Sequence, residues 1–472
     1  MIMNAINYNK VTSITFLLFE KIVGKENMSS DKEQLEKYGQ DETEDLIFFA
    51  EVILKPSSVK EISQIAKICN EHIIPLTVRG AGTGLSGGAL PIKGGVLLSM
   101  EKFNKIIKID ERNLQATVEP GVINYEFQEA VKQVGLFYPP DPASWGSCSL
   151  GGNIAHSSGG PKAVKYGTTR DYVLNLEIVL PNGEIIWTGA NTLKYSTGYN
   201  LTHLMVGSEG TLCIVTKIVF KLITLPKHDL LMLVPFNSAE LACKAVAEVF
   251  KAGINPSAME FMEKDAIDWS IKYSGELSFK VKPEWQALLI VEVDGNNLDI
   301  LMSDCEIISA VMQQNQCDEI LFADSAEQKN AIWKIRRKVG EAVKSNSVYK
   351  EEDTVVPRAE LPILLKGVKA IGKKYGFNSV CYGHAGDGNL HVNIIKGALS
   401  DQAWNIDLPN AIREIFVLCK SLGGTISGEH GIGLVQKNYL PIVFSPYHLQ
   451  LMKDIKKVFD PNYILNPGKI FN

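Results

Sequence analysis

Two histidines bracket a short turn in the stretch CYGHAGDGNLHVNII: His384 closes one strand-like run and His391 lies in the next. If those runs pair as a hairpin around Ala385 to Asn389, the imidazoles meet across the strands. The two-residue period of a strand then puts Asn393 on the face of His391. Two imidazoles so placed suit a divalent metal. Further on, GGTISGEHGIG sets Glu429 and His430 side by side in a second glycine-rich turn. A glutamate would complete a two-histidine, one-carboxylate ligand set with coordination positions left open, as a catalytic rather than a structural metal requires. His430 then stands next to that set as a group that can accept a proton. Each segment alone also reads as an ordinary turn; it is their combination that points to chemistry.

The elements that must hold these residues fall into two regions. After KLITLPKHD the pattern changes, and Pro226 marks a boundary. From there LLMLVPF, SAELACKAVAEVFKAG, PSAMEFME, QALLIVEVDG, LDILMSDCEIISAVMQQN and CDEILFAD read as β-α-β-β-α-β, a split ferredoxin-like arrangement. Residues 1–225 read as an α+β domain. There, SSVKEISQIAKICNEH starts with a capping box, Ser58 to Glu61, and keeps helical spacing at Val59, Ile62, Ile65, Ala66 and Cys69. LNLEIVLPNGEIIWTG reads as a hairpin around Asn182-Gly183.

Three glycine-rich loops punctuate this first region. VRGAGTGLSGGAL contains Gly82-x-Gly84-x-x-Gly87 after a strand-like run, as a dinucleotide-binding βαβ unit would. Pro91 and Gly94-Gly95 follow at once, so no helix is expected to open there. Such a loop can instead wrap an anion with its backbone amides, or be a plain turn. YPPDPASWGSCSLGGNIAHSSGG reads as a long loop without regular structure, and VGSEGTL as a third. Three such loops suit a long ligand, such as a flavin dinucleotide, approached by backbone at several points.

With 472 residues the chain should form two or three domains, and its net charge of −5, without basic blocks, argues against a nucleic-acid surface. The eight cysteines include no C-x-x-C, which argues against a zinc ribbon, a redox pair or a built-in iron–sulfur cluster. VTSITFLLFEKIVG is too short for a membrane span and reads as an amphipathic helix. The expected location is cytoplasmic, or peripheral at the inner face of the membrane.

The segments PLTVRGAGTGLSGGAL, PPDPAS…GSCSLGGNIA and VGSEGTLCIVTK resemble the flavin-binding domain of FAD-linked oxidases of the vanillyl-alcohol oxidase and p-cresol methylhydroxylase fold. The second half resembles their D-2-hydroxyacid dehydrogenase branch, which includes D-lactate dehydrogenase, the glycolate oxidase flavin subunit and D-2-hydroxyglutarate dehydrogenase. The resemblance runs from about residue 40 to the closing LNPGKIF. It implies a two-part flavin domain over 1–225 and a substrate or cap domain over 226–472, whose last ~30 residues return to the flavin domain. It also implies that Arg79, Gly80, Ala81, Gly82, Thr83, Gly84, Leu85, Ser86, Gly87 and Gly88 wrap the FAD pyrophosphate. Pro140, Ser144, Gly151, Gly152, Asn153, Gly159, Glu209, Gly210 and the segment to Ile214 would line the rest. The first loop has no His or Cys, and the branch uses the stretch around Cys148 without attachment, so non-covalent FAD is expected.

By the same resemblance His384, His391 and Glu429 correspond to ligands of Zn2+ or another divalent metal, Asn393 to a substrate-contacting asparagine and His430 to the general base. The physical logic agrees, because a metal chelated by a hydroxyl and its neighbouring carboxylate lowers the hydroxyl pKa. Hydride would pass from carbon 2 to flavin N5 as a histidine takes the proton. IWKIRRKVGEAV matches a segment whose arginine, Arg336 here, binds the substrate carboxylate. In the hydroxyglutarate enzymes a threonine and a lysine hold the distal carboxylate. Gly340 stands at the first position and Glu351 at the second, with Lys350 one residue early. These departures favour D-lactate or glycolate, with D-2-hydroxyglutarate as the alternative. A quinone, a cytochrome or an electron-transfer flavoprotein is the expected electron acceptor, and any iron–sulfur relay would lie on a separate subunit. A homodimer is compatible with the reading. Two rivals are a non-enzymatic flavin electron carrier and a same-fold enzyme of the ether-lipid synthase type.

Overall fold

The computed structural model describes residues 6–274 and 281–471. The chain divides into two compact units: Met1–Gly159, Thr168–Leu225 and Glu429–Asn472 form one, and Gly160–Gly167 with Pro226–Gly428 the other.

In the first unit, strands β1 (Met28–Ser29), β2 (Val52–Leu54), β3 (Leu76–Arg79) and β4 (Val96–Ser99) form a sheet ordered β1-β2-β4-β3. β2 and β3 both run parallel to β4. The chain continues through β5 (Ile106–Asp110), β6 (Gln115–Val118), β7 (Leu136–Phe137), β8 (Val173–Val179), β9 (Ile185–Trp187), β10 (Ile214–Lys221) and β11 (Ile223–Thr224). Five of these make an antiparallel sheet ordered β5-β6-β10-β8-β9, and β7 pairs with β11. The expected hairpin joins β8 to β9 with Gly183 at φ +86°, a conformation that glycine adopts without steric cost.

The helix Val59–Glu71 buries Ile62, Ile65, Ala66 and Cys69 against Val52, Leu54, Leu76, Val96 and Leu98. Full burial of each aliphatic side chain contributes about 1.5–3 kcal/mol. Its capping box is shifted: Ser58 accepts from the Glu61 amide at 3.3 Å, but the Glu61 carboxylate accepts from Ser57 N at 2.7 Å rather than from Ser58. The N-terminal helix Ser13–Val23 adds Phe19 and Val23 to the same core. The second glycine-rich loop, expected to be irregular, contains the short helix Leu150–His156. Ser149 caps it by accepting from Gly152 N at 3.4 Å, and Leu150 and Ile154, one turn apart, are both fully buried. Two glycines between them mask that spacing in the sequence.

In the second unit β12 (His228–Phe236), the helix Ala239–Lys251, β13 (Ala258–Glu263), β14 (Ala287–Gly295), the helix Leu298–Gln314 and β15 (Leu321–Phe322) follow in order. Their sheet order β15-β12-β14-β13 is the ferredoxin-like one. β16 (Tyr349–Val355), β17 (Asn378–Gly383) and β18 (Asn389–Ile395) extend it past β13 as β17-β18-β16, and every pairing is antiparallel. The helices Lys264–Ser274, Ala326–Arg337 and Val339–Asn346 contribute to a core with Met262, Trp285, Ile290, Val380 and Tyr382. Residues 160–167, which the sequence reading leaves in the flavin domain, belong to this unit. Lys162 bonds Glu292, Lys165 Nζ donates to Asp294 Oδ1 at 2.5 Å, and the Tyr166 hydroxyl donates to the same carboxylate at 2.8 Å. Two acids on one face of β14 thus hold the segment. Among the described residues no helix is long and apolar enough to cross a membrane.

Candidate active site

The strands β17 and β18 form the hairpin, with His391 opposite Tyr382 and Asn393 opposite Val380. The turn requires Gly388: its φ is +83°, and a Cβ there would strike the Val356 carbonyl. His384 and His391, both buried, bring their ring centroids to 5.4 Å with the rings at 84°, and a ligand atom of each lies within 4.8 Å of the other.

Each imidazole has a carboxylate at Nδ1. His384 Nδ1 lies 2.9 Å from both oxygens of Glu260, and His391 Nδ1 lies 3.2 Å from Glu351 Oε1. A ring whose Nδ1–H is donated to a carboxylate has Nε2 as its coordinating nitrogen. This donor set fits a divalent ion. Glu260 is 0 % exposed, and its second neighbour is Arg336, whose Nη2 is 2.6 Å from Oε2. Burial pushes the Glu260 carboxyl up, but the His384 ring and the Arg336 guanidinium outweigh it and hold the group below its usual range.

Arg336 is the penultimate residue of the helix Ala326–Arg337 and lies over the Tyr382 ring at 5.1 Å. It is 4 % exposed, yet its Nε has no acceptor among the described residues. Asn393 is 0 % exposed, and neither of its amide atoms makes a hydrogen bond of good geometry there. Buried polar atoms left in this state are costly unless a ligand completes them. Gly340 lies beside the Tyr382 hydroxyl, 3.5 Å from where a Cβ would stand. Glu351 pairs with Asn393 across β16 and β18, whereas Lys350 points the other way, over Trp404.

Asp353 was not singled out in the sequence. It accepts from Asn389 Nδ2 at 2.7 Å, Ser427 Oγ at 2.8 Å and Gly428 N at 2.8 Å. Gly428 is the last residue of the second unit, and Glu429 and His430 are the next two in the chain. A Cβ on Gly428 would come within 2.6 Å of Asn389 Nδ2, so the approach to Asp353 depends on glycine. Only its acidity, on a strand with the two-residue period of Glu351, could have flagged Asp353.

In the first unit the glycine loop leaves β3 and reaches β4 without a helix. Ala81 N donates to Ser149 Oγ at 3.3 Å and Gly87 N to Thr43 Oγ1 at 2.6 Å. Between them the amides of Gly82, Thr83, Gly84, Leu85 and Ser86 meet no acceptor among the described residues. Such a run of amides fits an anionic group such as a pyrophosphate. Arg79 donates to Gln40 O at 2.6 Å. Gly80 and Gly152 flank Ser149, and Gly151 lies against Pro120. The Pro140 carbonyl accepts from Asn124 Nδ2 at 3.1 Å and Gln128 Nε2 at 3.0 Å, and Asn153 Nδ2 donates to Asn124 Oδ1 at 3.0 Å. Ser144 O accepts from Cys148 N, and Gly159 is buried. Burial pushes the Cys148 thiol up, away from the thiolate that attachment would need.

Two residues expected to line the flavin have other roles for their side chains. Glu209 accepts from Ile432 N at 2.8 Å and Gly433 N at 2.6 Å, so its carboxylate braces the segment after His430. The Ile214 side chain lies in the core beneath β4 and the helix Val59–Glu71. Gly210, at φ +67°, follows Glu209 in the tight turn. The closing segment reaches the first loop: Asn466 Nδ2 donates to Gly88 O at 2.9 Å and Lys469 Nζ to Leu90 O at 2.7 Å.

Solved structures share this architecture. p-Cresol methylhydroxylase with substrate bound superposes with a TM-score of 0.79 over 99 % of this chain and 98 % of its own, at 19 % identity. An alkyldihydroxyacetonephosphate synthase does so at 0.76 over 98 % and 86 %, at 17 % identity. The chain therefore has the flavin-binding fold of the p-cresol methylhydroxylase type. Residues 50–189 match the model of an FAD binding domain, and residues 225–470 that of the FAD linked oxidases, C-terminal domain. The chain belongs to the FAD-linked oxidase family and is an FAD-linked oxidoreductase. It is 36 % identical to a D-lactate dehydrogenase of Anaerostipes hadrus over 99 % of both chains. It is 37 % identical to the glycolate oxidase subunit GlcD of Bacillus subtilis, over 96 % of this chain and 95 % of that one. A D-2-hydroxyglutarate dehydrogenase of Xanthomonas citri is 32 % identical over 98 % of both.

Proposed function

We propose that this protein oxidises a small D-2-hydroxyacid, D-lactate or glycolate, to the 2-oxoacid. The observation that carries the reading is the pair of buried, incompletely bonded side chains Arg336 and Asn393 beside His384, held at Nδ1 by Glu260, and His391, whose Nδ1 lies 3.2 Å from Glu351. When bound, FAD supplies the two-electron acceptor. A divalent metal would supply a Lewis acid that acidifies the substrate hydroxyl; His384 and His391 would hold it, with Glu429 as the third ligand that the sequence resemblance implies.

The protein's own groups do the rest. Arg336 offers its guanidinium to the substrate carboxylate, and the planar fork matches a carboxylate in a way an ammonium does not. Asn393 offers an amide that can both donate and accept, on the face of β18 that carries His391. His430 takes the hydroxyl proton, and Asp353 fixes the backbone just before it. Glu351 places an anion on the Asn393 face, which disfavours a substrate with a second carboxylate. The relatives named D-lactate dehydrogenase and glycolate oxidase subunit support the same substrate class. Reduced flavin would pass electrons to a quinone, a cytochrome or an electron-transfer flavoprotein, and the subunit status of the GlcD relatives supports a separate partner chain.

The test is steady-state turnover with an artificial electron acceptor on D-lactate, L-lactate, glycolate and D-2-hydroxyglutarate, with the 2-oxoacid trapped as its hydrazone. The reading expects D-lactate or glycolate to give the highest kcat/KM and L-lactate to be inert. A preference for D-2-hydroxyglutarate would move the assignment to the alternative, and no oxoacid from any of them would end it.

A further inference from the structure

One side chain contacts both the metal-side and the carboxylate-side machinery. Glu260 lies on β13, in the fully buried run AMEFME, 124 residues from His384 in sequence. The sheet order β14-β13-β17 delivers it: β13 pairs with β17, whose last residue, Gly383, precedes His384. Both carboxylate oxygens lie 2.9 Å from His384 Nδ1, and Oε2 also lies 2.6 Å from Arg336 Nη2. An isolated carboxylate at 0 % exposure is strongly disfavoured, so the site keeps it only because a cation and an N–H donor face it.

We infer that Glu260 is a positioning residue that couples metal binding to substrate-carboxylate binding. It fixes His384 as an Nε2 ligand by accepting its Nδ1–H. It also stands 2.6 Å from Arg336 Nη2, while Nε has no acceptor among the described residues. Glu260 is the point at which the two binding events share one side chain. This inference rests on the dehydrogenase reading for the role of Arg336, and on geometry alone for the role of His384.

The experiment uses the FAD-loaded protein, stripped of metal and titrated with Zn2+ against a chromogenic chelator, with KM and kcat measured separately. Glu260→Gln preserves shape and removes the charge. It should weaken Zn2+ binding by roughly 10- to 100-fold, the range for outer-shell partners of metal-bound histidine. It should also raise KM for the hydroxyacid, while flavin content stays at wild type. If that variant loses flavin or fails to fold, Glu260→Asp takes its place. One methylene shorter, it cannot reach both neighbours, and should show an intermediate loss of Zn2+ affinity. Wild-type Zn2+ affinity and KM in a folded Glu260 variant would overturn the inference. Failure of the wild-type protein to oxidise any hydroxyacid, with Zn2+ affinity still lost in the variant, would instead remove the substrate reading and leave the ligand-orienting role standing.

Discussion

The two halves of the machinery are built from different materials. The flavin-side loops use backbone: the amides of residues 82–86 stand without acceptors among the described residues, and the side chains around them, Ser149, Asn124 and Glu209, brace neighbouring chain. The substrate-side sheet uses charge: Glu260, Arg336, His384, His391, Glu351 and Asp353 are drawn from four stretches of sequence and packed with little or no exposure. A backbone site tolerates side-chain change wherever glycine is not required. A buried charge network does not, because removing one member leaves another uncompensated.

That contrast predicts unequal damage. His384→Asn should give the largest loss. A Lewis acid contributes several kcal/mol, so kcat/KM should fall on the order of 10³-fold. Flavin content, read by absorbance, should not change. His430→Asn should lower kcat by roughly 10²-fold, the lower end of the span of general-base catalysis, with Zn2+ affinity kept. Arg336→Met removes a charged hydrogen-bond donor worth about 1.5–3 kcal/mol, so KM should rise about 10- to 100-fold. Equal loss of flavin in these three variants would erase the distinction between the halves.

On the flavin side the effects are smaller and appear as cofactor retention or stability. Gly87→Ala places a side chain at φ +73°, costing about 1–2 kcal/mol, and should speed FAD loss on dilution without changing the KM of the loaded enzyme. A separate effect is one of pH, seen in stability and not in turnover. Burial pushes the Lys469 ammonium down to about 7 from 10.5. The unfolded chain therefore binds this proton more tightly than the folded one, and folding stability should rise as pH increases from about 7 towards 10. Lys469→Met should flatten that slope in thermal melts at stepped pH, whereas an unchanged slope would remove Lys469 as its cause.

What could be read in advance follows the same division. His384, His391 and Asn393 were legible because one hairpin with a glycine turn contains all three, and strand period fixes their faces. Glu429 and His430 were legible as neighbours in the chain, but what anchors them, Asp353 on Gly428, comes from another strand. Glu260 was hidden inside a largely apolar strand, where an acid looks incidental until the sheet order sets it beside His384. The helix Leu150–His156 was hidden by its glycines, which carry no periodic signal. The shift of residues 160–167 into the second unit depends on Glu292 and Asp294, more than a hundred residues downstream.

The most direct test of the central claim is anaerobic mixing of the FAD-loaded protein with each hydroxyacid, before and after metal chelation, with flavin absorbance followed in time. The account predicts rapid bleaching by D-lactate or glycolate, loss of that bleaching on chelation, and its recovery when metal is restored. Bleaching that is indifferent to chelation would contradict the metal-assisted site. No bleaching by any of the acids in metal-replete protein would contradict the dehydrogenase itself.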